Sequence, residues 1–308
     1  MPRIEVETAA FPPSYGLGAY EQISATWEDI VWAAITVGRP NIHYVFRYGR
    51  PSLYEALFRL SMIRMALEQA RPYQYYPLRR TAAFKALDPT EKGAVNYFLG
   101  MVFCKLFAAT HLDIPWLLHV DVFKDQLNAS FLTGRSRPDL VGQDVTGTAW
   151  GAFESKGRAS NPSAQDRLKA KDQARRILSV DGIICAPLVA SFTYFRGDTL
   201  KMICEDPEGR DSGERLRSGD GQWEHYYRAA LALAEIDSEE ATEDLQRRDE
   251  LDLIVEIHPK ILHLLREGAW AAAHDASVGL RDIFDVEGFK PDGIKVTTGD
   301  SWSEKLRL

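Results

Sequence analysis

Apolar positions along the chain switch between two periods, and the switches divide it into helices and strands. Leu53, Leu57, Leu60, Ile63 and Leu67 recur at helical spacing and predict a helix over 51–70 with one buried stripe. Upstream, Thr26-Trp27-Glu28-Asp29 suits the cap of a helix running to about Val37, where Gly38, Arg39 and Pro40 stop it. Residues 1–25 carry prolines and glycines, and FPPSYGLG at 11–18 predicts irregular backbone. The aromatic and β-branched run 41–48 predicts a strand on which His43 reads as a packing or surface residue. Tyrosines and prolines over 71–80 then break the pattern.

A sharper signal begins at Asp88-Pro89-Thr90-Glu91. Asp88 suits the N-cap, Pro89 the first helical position and Glu91 the place three residues on from the cap, which predicts a helix from 88 to about Thr110. Its apolar part, 94–109, is interrupted by Asn96 and Lys105 and falls short of the roughly 20 residues that span a bilayer. The run 115–123 (PWLLHVDVF) predicts a strand with His119 and Asp121 on one face. Two short strands follow, headed by Leu140-Val141 and by 149–153, with the turn 142–147 between them. Residues 163–180 predict a helix, and 185–195 and 200–204 two further strands.

After Asp206 the composition becomes polar and Gly-rich. Helices are predicted at 223–236, 251–266 and 270–278, and a short hairpin in the tail around Asp292-Gly293 and Gly299-Asp300. These shifts divide the chain at 1–87, 88–206 and 207–308. His258 and His263 are five apart, off the one-face spacing of a helical zinc pair, and read as structural. Walker, dinucleotide-binding and helix-turn-helix signatures and clear repeats are absent.

Composition adds little until its distribution is considered. At 45% hydrophobic and 26% charged the chain is ordinary globular protein. Its three cysteines, Cys104, Cys185 and Cys204, sit in apolar runs without metal-ligand spacing, which suits buried thiols in a reducing cytoplasm. The net charge of -7 is acidic for a nucleic-acid binder. Yet basic residues outnumber acids between Arg135 and Arg176, and the negative excess lies mostly between Glu205 and Glu256.

Candidate chemistry concentrates in 135–158 (RSRPDLVGQDVTGTAWGAFESKGR). On a strand Glu154 and Lys156 point to one face, and Asp139 on the preceding strand reaches the same spot. Two carboxylates held close repel unless a cation lies between them, and a hard divalent ion such as Mg2+ is that cation. With a lysine alongside, the group suits phosphodiester hydrolysis.

Pro138-Asp139 followed by Glu154-Ser155-Lys156 resembles the PD-(D/E)xK nuclease superfamily, which includes restriction-endonuclease and RecB-type nuclease domains. Among the lysines only Lys156 has an acid two positions before it, so a second Pro-Asp pair, Pro291-Asp292, finds no such partner downstream. The resemblance spans 88–206. It implies an α/β fold with a restriction-endonuclease-like αβββαβ core and a mixed sheet, flanked by mainly helical N- and C-terminal elaborations.

The resemblance further implies that Asp139, Glu154 and the Ser155 carbonyl hold Mg2+, for which Mn2+ can substitute, while Lys156 activates water. Superfamily helices preceding the sheet often carry a metal-facing glutamate, for which Glu91 is the match; its capping position by itself accounts for it fully. RecB-like members carry glutamine and tyrosine four apart on the later helix, whereas here Gln173 is followed by Ile177. Arg135, Arg137, Arg158, Lys169 and Lys171 are placed to grip a nucleic-acid backbone, DNA rather than RNA.

The expected activity is a deoxyribonuclease, an endonuclease of restriction or phage (antiviral) defence. The acidic balance adds an activating protein partner or a homo-oligomer that supplies DNA binding. The alternative is a catalytically silent nuclease-fold module for binding or assembly.

Overall fold

Among the described residues a mixed sheet of nine strands organises the chain. The computed structural model describes residues 1–38, 51–69, 76–125, 127–134, 136–206, 220–234 and 252–302. At the N-terminus β1 (Pro2–Ala9) and β2 (Tyr20–Ser24) pair antiparallel. Helices α1 (Trp27–Thr36) and α2 (Pro51–Ala66) follow, then β3 (Leu67–Gln69), β4 (Tyr76–Arg80) and α3 (Ala82–Ala86).

The central part starts with α4 (Pro89–His111), β5 (Trp116–His119), α5 (Val120–Phe123), β6 (Ser130–Phe131) and β7 (Leu140–Gln143). It continues through β8 (Trp150–Arg158), α6 (Ala164–Ala174), β9 (Ile177–Val180), β10 (Ile183–Ile184), β11 (Leu188–Arg196) and β12 (Thr199–Glu205). The C-terminal part comprises α7 (Asp220–Ala234), β13 (Leu253–Ile257), α8 (Pro259–Arg266), α9 (Trp270–Gly279), α10 (Arg281–Glu287) and β14 (Ile294–Thr298).

Strand order in the large sheet is β2-β1-β4-β12-β11-β8-β7-β5, with β3 on β4 and β1 also paired with β12. β5, β7 and β8 form an antiparallel meander, and β11 runs parallel to β8 after the α6 crossover. Two helices cover opposite faces. Ala170 of α6 packs on Ala190, Phe192, Tyr194 and Ile203. On the other side α4 presses onto β8 so closely that a Cβ on Gly157 would lie 1.5 Å from Asn96 O, and one on Gly100 would lie 2.6 Å from Gly157 N.

Helix α4 begins as its sequence dictates. Asp88 accepts from the Glu91 N–H, and the Glu91 carboxylate accepts from the Asp88 N–H at 3.1 Å, a closed capping box. By length and composition this helix could cross a bilayer, but it is mostly buried within the protein. Its buried Phe98, Leu99, Phe103 and Phe107 each contribute about 1.5–3 kcal/mol through the water they exclude.

Several elements differ from the sequence expectation. PRIEVETA at the N-terminus is a strand whose Ile4 and Val6 alternate inward, and its C-terminal half lies beside β12. The predicted strand 115–123 ends at His119, and the predicted helix 163–180 ends at Ala174, after which Ile177–Val180 is β9. In 251–266 the first half is β13 rather than helix: Leu253, Val255 and Ile257 are buried while Ile254 and Glu256 are exposed, a period of two. The tail strand β14 pairs with β13. The predicted strand 41–48 with His43, and the acidic stretch 237–250, lie outside the described residues.

Candidate active site

The register of the hairpin decides what meets what. Leu140 pairs with Phe153 and Val141 with Ala152, so Asp139, one step beyond the ladder, faces Glu154. Directly opposed residues on an antiparallel pair hold their Cβ atoms about 4.5–5.5 Å apart. Across the next boundary Glu154 pairs with Ala190, and Lys156 with Phe192. Ala190 and Phe192 lie under α6, which puts Glu154 and Lys156 on that face and turns Ser155 and Gly157 toward α4.

Each charged group has a distinct environment. Glu154 is fully buried, and among the described residues its Oε2 has no hydrogen-bond donor. Its Oε1 forms an ion pair with Lys156 Nζ, whose side chain is 34% exposed. Asp139 Oδ2 accepts from the Ser155 N–H at 2.9 Å, which fixes the carboxylate at the end of the ladder. Burial, then the Asp139 charge, push the Glu154 carboxyl up to about 7 against the opposing pull of Lys156. Asp139 is also raised, by burial, with Lys156 and the Ser155 N–H offsetting part of it. Two desolvated carboxylates therefore compete for one ammonium, and one oxygen is left without a donor.

This donor set fits a hard divalent cation. Among the described residues no three or more His, Cys, Asp and Glu side chains gather for a metal. Such an ion would take oxygens from Asp139 and Glu154 and fill its remaining positions with a carbonyl and water, as Mg2+ commonly does.

The other candidate residues are distributed differently. Glu91 is exposed, with its carboxylate engaged in the α4 cap. The Ser155 side chain is buried on the α4 face, and its hydroxyl is without a partner among the described residues. Arg158 pairs with Asp166 at 2.8 Å, and Lys171 with Glu205 at 2.8 Å. Lys169 is exposed and Gln173 half-buried, both on α6. Arg137 Nη1 donates to Asp121 Oδ1 at 3.1 Å. Arg135 lies outside the described residues.

Comparison with family models, curated proteins and solved structures finds no match.

Two acids gain weight only in three dimensions. Glu205 pairs with Ala190 from the side opposite Glu154, so both glutamates flank one residue on the α6 face. It is buried and held by Arg167, whose Nε donates at 2.7 Å, and by Lys171. The signal was a charged residue closing an apolar strand, matched by Arg167 and Lys171 one helical turn apart. Asp121 sits on α5 directly after β5, and its charge is felt at Asp139.

Proposed function

We propose that the chain is a divalent-metal-dependent nuclease of the PD-(D/E)xK type, most readily a DNA endonuclease, with Mg2+ as cofactor and Mn2+ as a substitute. The observation that carries this reading is the facing pair Asp139 and Glu154, desolvated beside Lys156 with one glutamate oxygen unmet. Element order supports it: α4, three antiparallel strands β5, β7 and β8, helix α6, then β11 parallel to β8.

In this reading Asp139, Glu154 and the Ser155 carbonyl hold the metal. When bound, the ion supplies Lewis acidity, offsetting phosphate charge and acidifying water. Lys156, one-third exposed beside the two acids, orients the attacking water and meets the charge that gathers on the phosphoryl oxygens. Gln173 and Lys169 on α6 are assigned to the substrate side of the same sheet face. Arg158 and Lys171 are engaged with Asp166 and Glu205. Together with the net charge of -7, these internal pairs favour a partner protein or second copy that supplies the remaining grip on DNA, as in restriction or phage defence in the cytoplasm.

The test is cleavage of supercoiled, linear and single-stranded DNA and of RNA with Mg2+, Mn2+ or EDTA. Metal-dependent cutting by the wild type is expected, with Lys156→Ala and Asp139→Ala slower by about a hundredfold or more. Absence of cutting, together with no metal binding by calorimetry, would return the chain to the silent-module reading.

A further inference from the structure

We propose that Asp121 is a built-in competitor for substrate phosphate: it holds the Arg137 guanidinium in the place from which Arg137 grips the nucleic-acid backbone, and yields it when substrate arrives. This rests on the nuclease reading and names the phosphate-positioning residue of the same site.

The pair stands at the mouth of the acid hairpin. Arg137 lies two residues before Asp139, and Asp121 lies two residues after His119, which pairs with Leu140. The Val120 N–H donates to the Asp139 carbonyl at 3.1 Å, so α5 and the entry to β7 are tied together there. Arg137 is preorganised from one side. Its guanidinium sits 5.1 Å from the Phe131 ring centroid, and Phe131 is held in β6 against β9. Its side chain is 29% exposed, and its buried Nε meets no acceptor among the described residues. One Nη is committed to Asp121, and the planar fork retains donors suited to a phosphate.

Asp121 is the loose member of the pair. Its side chain is 75% exposed, and an ion pair this open to water contributes little, so exchanging its carboxylate for a phosphate costs little. Until it is displaced, the Asp121 carboxylate holds the guanidinium and repels an anionic backbone.

The experiment measures binding of a labelled DNA duplex and of a single strand in Mg2+, in the Lys156→Ala background so that cutting is slow on the time of the measurement. It compares Asp121→Asn, Arg137→Ala and the double variant. Asp121→Asn is expected to tighten binding about two- to fivefold, the worth of one exposed pair. Arg137→Ala should weaken it about tenfold or more and reduce the salt-dependence slope by about one phosphate contact.

The tightening by Asp121→Asn should vanish when Arg137 is also alanine. In the Lys156-intact chain Asp121→Asn should lower KM. Weaker binding by Asp121→Asn, or tightening that persists without Arg137, would overturn the competitor role while leaving the nuclease reading in place. A wild type that neither binds nor cuts nucleic acid with any metal overturns both.

Discussion

Two Pro-Asp pairs in this molecule meet two lysines, with opposite results. At Pro291-Asp292 every acceptor is taken: Asp292 Oδ2 receives the Trp32 indole N–H and the Tyr226 hydroxyl, each at 2.6 Å, and Oδ1 receives the Ile294 N–H at 3.1 Å. Lys105 Nζ donates to Tyr226 at 2.8 Å and lies 4.4 Å from the Trp32 ring centroid. All these side chains are buried, and they join α1, α4, α7 and the turn before β14.

At Pro138-Asp139 the chemistry is the same and the accounting is incomplete: Glu154 keeps an oxygen without a donor, and Lys156 is one-third exposed. Burial of charge marks both places. An unmet acceptor beside an accessible lysine marks only one, and that difference separates a lock from a binding site.

The comparison can be broken most decisively at the lock. Asp292→Ala leaves Lys105 without a counter-charge inside the core and is expected to cost about 3–5 kcal/mol in urea unfolding. A loss under about 1 kcal/mol would mean that the network is incidental.

Glu154→Gln should act in the other direction. With metal removed it relieves a desolvated carboxylate and stabilises the fold by about 1–3 kcal/mol. Mg2+ at ten times its dissociation constant should raise the unfolding free energy of the wild type by about 1.4 kcal/mol and leave the variant unmoved. Equal responses would detach Glu154 from metal binding.

The smallest effect sharpens the lock by pH. Burial pushes the Lys105 ammonium down to about 7, with Asp292 opposing. Above that pH the folded chain has shed a proton that the unfolded chain keeps to about 10.4, so the unfolded state holds more protons and stability rises with pH in that window. Relative to Lys105→Met, the wild type should gain about 1 kcal/mol between pH 7 and 8. A flat difference would show that Lys105 keeps its charge throughout.

The hairpin is legible in the sequence because its signals are local: apolar pairs, glycines at a turn, and acids and a lysine spaced by two. The α4 cap is legible for the same reason, and it engages the Glu91 carboxylate at the helix end. What is hidden depends on distant partners. β1 is a strand because β12, some two hundred residues later, offers it an edge. Asp292 is structural because Trp32 and Tyr226 come to it across 260 and 66 positions. β13 is hidden differently: Pro259 marks where the next helix starts, but the five residues of LIVEI hardly separate a period of two from 3.6.

Gly157 follows the catalytic lysine candidate and fits into a slot where a side chain would strike the α4 backbone at Asn96. That slot works as a register gauge. If β8 slid by one residue past α4, Lys156 or Arg158 would enter a space that admits only hydrogen, and every alternating side chain would change face at the same time. Mispaired hairpins are thus rejected by shape as well as by burial, and the spacing between acid, lysine and helix is checked each time the chain folds.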